Sequence, residues 1–124
     1  MAKAKSRLIL GTAQFGLNYG INNNGKLSSR DLDQVFSLVN DRQICLDTSS
    51  AYGNSETIIG KRAATNTEII TKISPKKDTD VKKMFHKSLK RLKKDKIHGC
   101  FLHDFSVMKT RPDIWNQFID LKKQ

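Results

Sequence analysis

Four short apolar runs, each closing on a polar or ionisable residue, constrain this chain more than any other feature. They are Leu8-Ile9-Leu10 into Gly11-Thr12, Ile44-Cys45-Leu46 into Asp47, Ile69-Ile70-Thr71 into Lys72, and Cys100-Phe101-Leu102 into His103. Each is too short for a helix and rich in the residue types that favour strands. Between them lie stretches with apolar residues at helical spacing. Ser28 or Ser29 opens the first, with Asp31 in its first turn and Leu32, Val35, Phe36 and Val39 on one face. The second begins near Asn54 or Ser55, buries Ile58 and Ile59, and ends by Ala64. The third runs from about Thr79 to Asp95, with Val81, Met84, Phe85, Leu89 and Leu92 as its apolar stripe. The last is expected to be capped by Thr110, with Pro112 in its first turn and Ile114, Trp115, Phe118, Ile119 and Leu121 facing the core.

Strand and helix alternating about every 25 to 35 residues predict an α/β fold with a parallel sheet and right-handed crossovers. Two architectures share that pattern, the open doubly wound sheet and the (β/α)8 barrel. A dinucleotide-binding open sheet carries a G-x-G-x-x-G turn after its first strand. Gly11-Thr12-Ala13-Gln14-Phe15-Gly16 lacks that spacing, and no lysine-containing phosphate loop is present. The ionisable residues stand instead at successive strand ends, where barrel enzymes build their sites. The expectation is therefore four parallel βα units of a barrel, a half-barrel, since a complete one takes about 250 residues and this chain has 124. One domain over 1–124 with no second domain is expected.

Composition narrows the setting. Mean hydropathy is -0.54, and no apolar run approaches the ~20 residues that span a bilayer. The basic N-terminus Met1-Ala2-Lys3-Ala4-Lys5-Ser6-Arg7 leads into an apolar run too short for a signal peptide, so a cytoplasmic location is expected. Cys45 and Cys100 lie inside strand-like runs and are read as small buried hydrophobes; without clustered histidines they do not suggest a metal. The net charge is +11, of which +7 falls between Lys76 and Lys96. Such a stripe raises nucleic acid as a partner. Aromatic residues do not alternate with the lysines, which favours the solvated outer face of a helix.

The four strand ends bring an acid, a phenol, an ammonium and an imidazole to one edge, if the strands are parallel: Asp47, Tyr52 in the loop that follows it, Lys72 and His103. A phenol with an ordinary pKa of ~10 is a poor acid near neutrality, and a nearby ammonium favours its ionised form. Lys72 supplies the ammonium and Asp47 an anchor for it. His103 can hydrogen-bond a carbonyl oxygen and orient it toward Tyr52. This set protonates a carbonyl while hydride arrives from elsewhere, and since no side chain gives hydride, a nicotinamide cofactor is implied.

On these residues the chain resembles the N-terminal half of the aldo-keto reductases. Gly11-Thr12-Ala13-Gln14-Phe15-Gly16 is similar to the family's first-strand motif. Leu46-Asp47-Thr48-Ser49-Ser50-Ala51-Tyr52-Gly53-Asn54-Ser55-Glu56 resembles its D-T-A-x-x-Y-G-x-S-E signature, with Ser49 where alanine is usual. Ile70-Thr71-Lys72 resembles the catalytic-lysine strand, and Ser88-Leu89-Lys90-Arg91-Leu92 with Ile97 and Leu102-His103 the segment ending in the catalytic histidine. The resemblance implies a (β/α)8 barrel and NADPH-dependent reduction of aldehydes or ketones. Tyr52 would be the acid, and Asp47, Lys72 and His103 its supports. Gly11, Thr12 and Asp47 would lie near the nicotinamide end of the cofactor, and no metal is implied. Gly16-Leu17-Asn18-Tyr19-Gly20-Ile21 resembles a bacterial subgroup tied to sugar or surface-polysaccharide pathways. In the family, later strands hold most of the cofactor, including its pyrophosphate.

Four alternative expectations follow. The chain is the front half of an NADPH-dependent oxidoreductase; or two copies pair as a homodimer through exposed half-barrel edges; or it is a catalytically inactive fragment or a basic nucleic-acid-binding module.

Overall fold

The strands form in the four apolar runs, because β-branched and aromatic residues there pack well on a pleated surface. A computed structural model describes residues 7–21 and 25–123. The basic N-terminal segment before Arg7 and the asparagine run 22–24 lie outside the described residues. Strands β1 (Ile9–Gly11), β2 (Cys45–Asp47), β3 (Ile69–Ile73) and β4 (Gly99–Leu102) pair in parallel and in chain order. The connections are α1 (Ala13–Gly16) with α2 (Ser29–Arg42), then α3 (Ser55–Arg62) and α4 (Val81–Leu92). Helix α5 (Asp113–Lys122) follows β4.

Strand alternation divides the side chains between two faces. Leu10, Leu46 and Ile69 join Phe36, Val39, Ile59 and Leu92 in a core between sheet and helices. A second cluster gathers Ile73, Val81 and Ile114 with Cys100, Leu102 and Phe118. The intervening strand residues reach the other face. There Ile9 is 59% and Phe101 55% exposed, so these two apolar side chains of the inner face stand largely uncovered.

Local chemistry explains the helix ends. Ser28 and Asp31 form a reciprocal capping box at α2, as the sequence predicts. Asp80 caps α4 by accepting from the Lys83 amide at 3.1 Å. Helices α2 and α4 both end on left-handed residues, Gln43 and Lys93. Lys94 belongs to no solvated stripe: its ammonium donates to the carbonyls of Ala64 and Thr65 just beyond α3, and burial lowers its pKa.

The end of the chain departs from expectation. Thr110 does not cap α5; it closes a 3-10 turn over Phe105–Lys109 and bonds back to the Val107 carbonyl, and Pro112 is the residue that precedes the helix. The turn places α5 so that Ile114, Phe118 and Leu121 meet the core. Trp115 is 61% exposed and Ile119 39%, because α5 has a sheet and α4 on one side only.

Helices α3 and α4 pack closely at Gly60, where an added Cβ would lie 2.1 Å from the Arg91 carbonyl oxygen. Beside this contact Glu56, 1% exposed, accepts from Thr71 Oγ1 at 2.7 Å and from Arg91 Nε at 2.7 Å. The one carboxylate ties α3 to β3 and α4.

Candidate active site

The parallel register brings the four strand ends together. Gly11 pairs with Asp47, and Asp47 with Ile70. Lys72, two residues past Ile70, therefore shares the inner face with Asp47. Phe101 pairs with Lys72, so His103, two residues further on, continues that face above it. Lys72 Nζ donates to Asp47 Oδ1 at 2.7 Å and to the Thr48 carbonyl at 3.1 Å. The pair is partly shielded, with the two side chains 19% and 33% exposed, so its attraction exceeds that of a surface ion pair.

Tyr52 arrives from the loop between β2 and α3. The Lys72 ammonium stands 5.3 Å from the centroid of its ring, within the range where a cation is drawn to an aromatic face. The His103 ring meets it edge-on, with centroids 5.9 Å apart and planes at 78°. Asp47, Tyr52, Lys72 and His103 thus occupy one end of the sheet.

The loop carrying Tyr52 is held by backbone and hydroxyl groups. Thr48 N donates to the Ile70 carbonyl and Ser50 N to the Lys72 carbonyl, extending the β2–β3 ladder past the strand. Tyr52 N returns to the Ser49 carbonyl. Below the loop, Thr12, Thr48 and Ser55 are all fully buried, and their hydroxyls lie within 3.0 Å of one another through Ser55 Oγ. Thr12 Oγ1 also donates to the Asp47 carbonyl at 3.0 Å. The Thr12 side chain thus sits beneath the site and fixes the backbone of the acid. Gly11 is exposed beside it, and a Cβ added there would meet no atom within 4 Å.

Two glycines let the loop settle this low. A Cβ on Gly16 would lie 1.9 Å from the Tyr52 carbonyl oxygen, and Gly53, at φ 55°, faces back onto the Gly16 carbonyl. Backbone here rests on backbone.

Ser49 is the residue whose part was not foreseen. It is 1% exposed, and its Oγ lies 2.9 Å from His103 Nδ1. The sequence signal was the serine itself, standing where alanine is usual in the motif.

The cysteines are shielded. Cys45 is buried, and burial pushes its thiol up. The Cys100 thiol is pushed up to about 12, first by burial and then by the nearby Glu56 carboxylate. Neither is a reactive thiolate. Among the described residues no cluster of His, Cys, Asp or Glu is arranged to hold a metal, and no helix is long and apolar enough to cross a membrane. The lysines Lys82, Lys83, Lys87 and Lys90 lie exposed along α4.

Comparison with known proteins agrees with the fold. Two solved structures from Pseudomonas aeruginosa, each provisionally described as an aldo-keto reductase, superpose with TM-scores of 0.76 and 0.75 at 24% identity. The matches cover 98% of this chain but only 53% and 52% of theirs, so the chain spans about half the length of these structures and its four βα units correspond to a half-barrel. No curated protein matches significantly. The Aldo/keto reductase family model matches residues 7–124, and the chain belongs to that family.

Proposed function

We propose that this chain carries the proton-transfer half of an NAD(P)H-dependent carbonyl reductase, acting on an aldehyde or ketone and yielding an alcohol. The carrying observation is the 2.7 Å Lys72–Asp47 ion pair set beside the Tyr52 ring. Tyr52 donates its phenolic proton to the carbonyl oxygen of the substrate. The Lys72 ammonium steadies the negative charge left on the phenol, and Asp47 holds that ammonium in place. His103 donates a hydrogen bond to the same carbonyl oxygen and fixes its direction. The nicotinamide cofactor supplies hydride when bound. The open space at Gly11, adjoining Asp47 across the β1–β2 register, fits one face of a flat ring. Thr12 contributes from below by fixing the Asp47 carbonyl.

A sugar-related carbonyl compound is the substrate class suggested by the resemblance of residues 16–21. The setting proposed is the cytoplasm, with NADPH as cofactor and no metal. The whole unit 1–124 is taken as one half of a barrel domain. The exposed Ile9 and Phe101 on the inner sheet face favour pairing of two copies as the state in which the chain alone would cover that surface.

An NADPH titration followed by nicotinamide fluorescence, with the oligomeric state recorded in the same sample, tests this reading. Saturable binding with turnover of carbonyl substrates is expected, and Tyr52→Phe is expected to retain binding while losing at least ~100-fold in turnover. Near-normal turnover in Tyr52→Phe would refute the acid assignment. No binding at all would leave the chain a catalytically inactive half-barrel.

A further inference from the structure

We propose that Ser49 is a positioning residue that holds His103 in the neutral form protonated on Nε2, so that the ring presents a donor to the substrate oxygen. The inference rests on the reading of His103 as that donor, and it extends it to a residue 54 positions earlier in the chain.

The argument is a count of protons and lone pairs. Ser49 Oγ has one hydrogen to give and two lone pairs to fill. The Ala51 amide donates to Oγ at 3.1 Å and fills one lone pair. Two acceptors compete for the hydroxyl proton, His103 Nδ1 at 2.9 Å and the Lys72 carbonyl at 3.2 Å. The Lys72 carbonyl already accepts from Ser50 N at 3.0 Å and from Ser50 Oγ at 3.2 Å. Both of its lone pairs are therefore served without Ser49. The nearer acceptor with no other partner shown at that atom is His103 Nδ1. A proton donated by Ser49 to Nδ1 leaves the ring hydrogen on Nε2, on the far side of the ring.

The opposite arrangement serves the Ser49 hydroxyl equally but crowds its neighbour. If Nδ1 carried the hydrogen, Ser49 Oγ would accept from both Ala51 and His103, and its own proton would be a third donor on the Lys72 carbonyl. Nε2 would then be an acceptor facing the substrate oxygen, itself an acceptor. The anchor is also well placed mechanically. Ser49 is 1% exposed and its own carbonyl receives Tyr52 N, so one residue connects the phenol's backbone with the imidazole's orientation. An alanine at this position keeps the carbonyl that receives Tyr52 N but lacks the hydroxyl, and with it both the proton for Nδ1 and the acceptor for the Ala51 amide.

The tautomer can be read directly by long-range proton–nitrogen correlation spectra of the imidazole nitrogens in the 124-residue chain, without cofactor or substrate. Spectra are taken across a pH series and read at the alkaline plateau, where the ring nitrogens no longer shift and the neutral ring is reported. The expected result is His103 protonated on Nε2 in the native chain, a shift to a mixture with Nδ1–H in Ser49→Ala, and a return to Nε2–H in Ser49→Thr, which restores the hydroxyl. A native His103 protonated on Nδ1 overturns the proposal, and so does a Ser49→Ala spectrum identical to the native one. Should Ser49→Ala not fold, the native and Ser49→Thr spectra decide the matter. Since no turnover enters the readout, the proposal and the Tyr52 assignment fail separately: full turnover in Tyr52→Phe would refute the acid assignment while leaving the Ser49–His103 result intact.

Discussion

At the residue scale, the site depends on atoms that touch no substrate. Gly16 is the clearest instance. A methyl group there would overlap the Tyr52 carbonyl, a backbone atom that cannot rotate away as a side chain could. Gly16→Ala is therefore expected to lower stability by about 1–3 kcal/mol or more, measured by urea unfolding, and to broaden or shift the amide signals of residues 52–55. A variant with native stability and spectra would show that the loop yields without cost. Asp47, Lys72 and His103 could be picked out in the sequence, since each closes an apolar run, whereas their sharing one face rests on the sheet register. Ser49 and the buried Thr12–Thr48–Ser55 hydroxyl group were not readable. Which hydroxyl meets which partner depends on distances across strands, and no spacing rule encodes those.

At the scale of single elements, helix α2 offers a test of capping. Hydrogen bonds from the Ser28 hydroxyl and amide hold the Asp31 carboxyl below its ordinary value of 3.8. A group whose pKa is lowered on folding contributes stability above its unfolded value and loses it as pH falls through the folded one. The native chain should thus be more stable than Asp31→Asn at pH 7, and the difference should shrink toward zero in acid below about pH 4. Paired unfolding curves across that range check it; a gap that persists unchanged in acid would assign the effect to something other than the carboxylate. The Glu56 clasp joins three elements, and its weak point is Arg91. Removing the guanidinium leaves a carboxylate that is 1% exposed with Thr71 as its remaining partner shown. Breaking a buried pair costs about 3–5 kcal/mol, and the Arg91 side chain is 38% exposed, so Arg91→Met is expected to cost about 1–3 kcal/mol after screening. Denaturant midpoints of the two proteins decide this. Element positions were largely legible, because apolar periodicity and the Ser28 cap are local signals. The last helix was less so: Trp115 and Ile119 fit a helical apolar face, yet α5 has neighbours on only one side, and no local signal reports how many neighbours a helix will have.

At the scale of the whole molecule, the sheet has one covered face and one open one. Ile9 and Phe101, more than half exposed on the inner face, would each gain about 1–2 kcal/mol if their remaining area were buried. The strand edges of β1 and β4 add unpaired backbone groups. The chain studied alone is accordingly expected to associate as concentration rises, and to melt broadly when dilute. Phe101→Lys should weaken association measured by sedimentation while leaving the helical signal unchanged. A sharply melting monomer in the native chain would contradict the expectation.

Sequence alone determined the alternation of strand and helix, the parallel order of the sheet, the family and the four ionisable strand ends. These follow from periodicity and motif, which are properties of residues near one another in the chain. Tertiary structure decided which groups meet: Ser49 with His103, Thr12 with the Asp47 carbonyl, Glu56 with Arg91 and Thr71, and Gly16 with the Tyr52 loop. Each joins residues between 15 and 54 positions apart or rests one backbone on another. Such contacts arise only once the sheet register has fixed the distances.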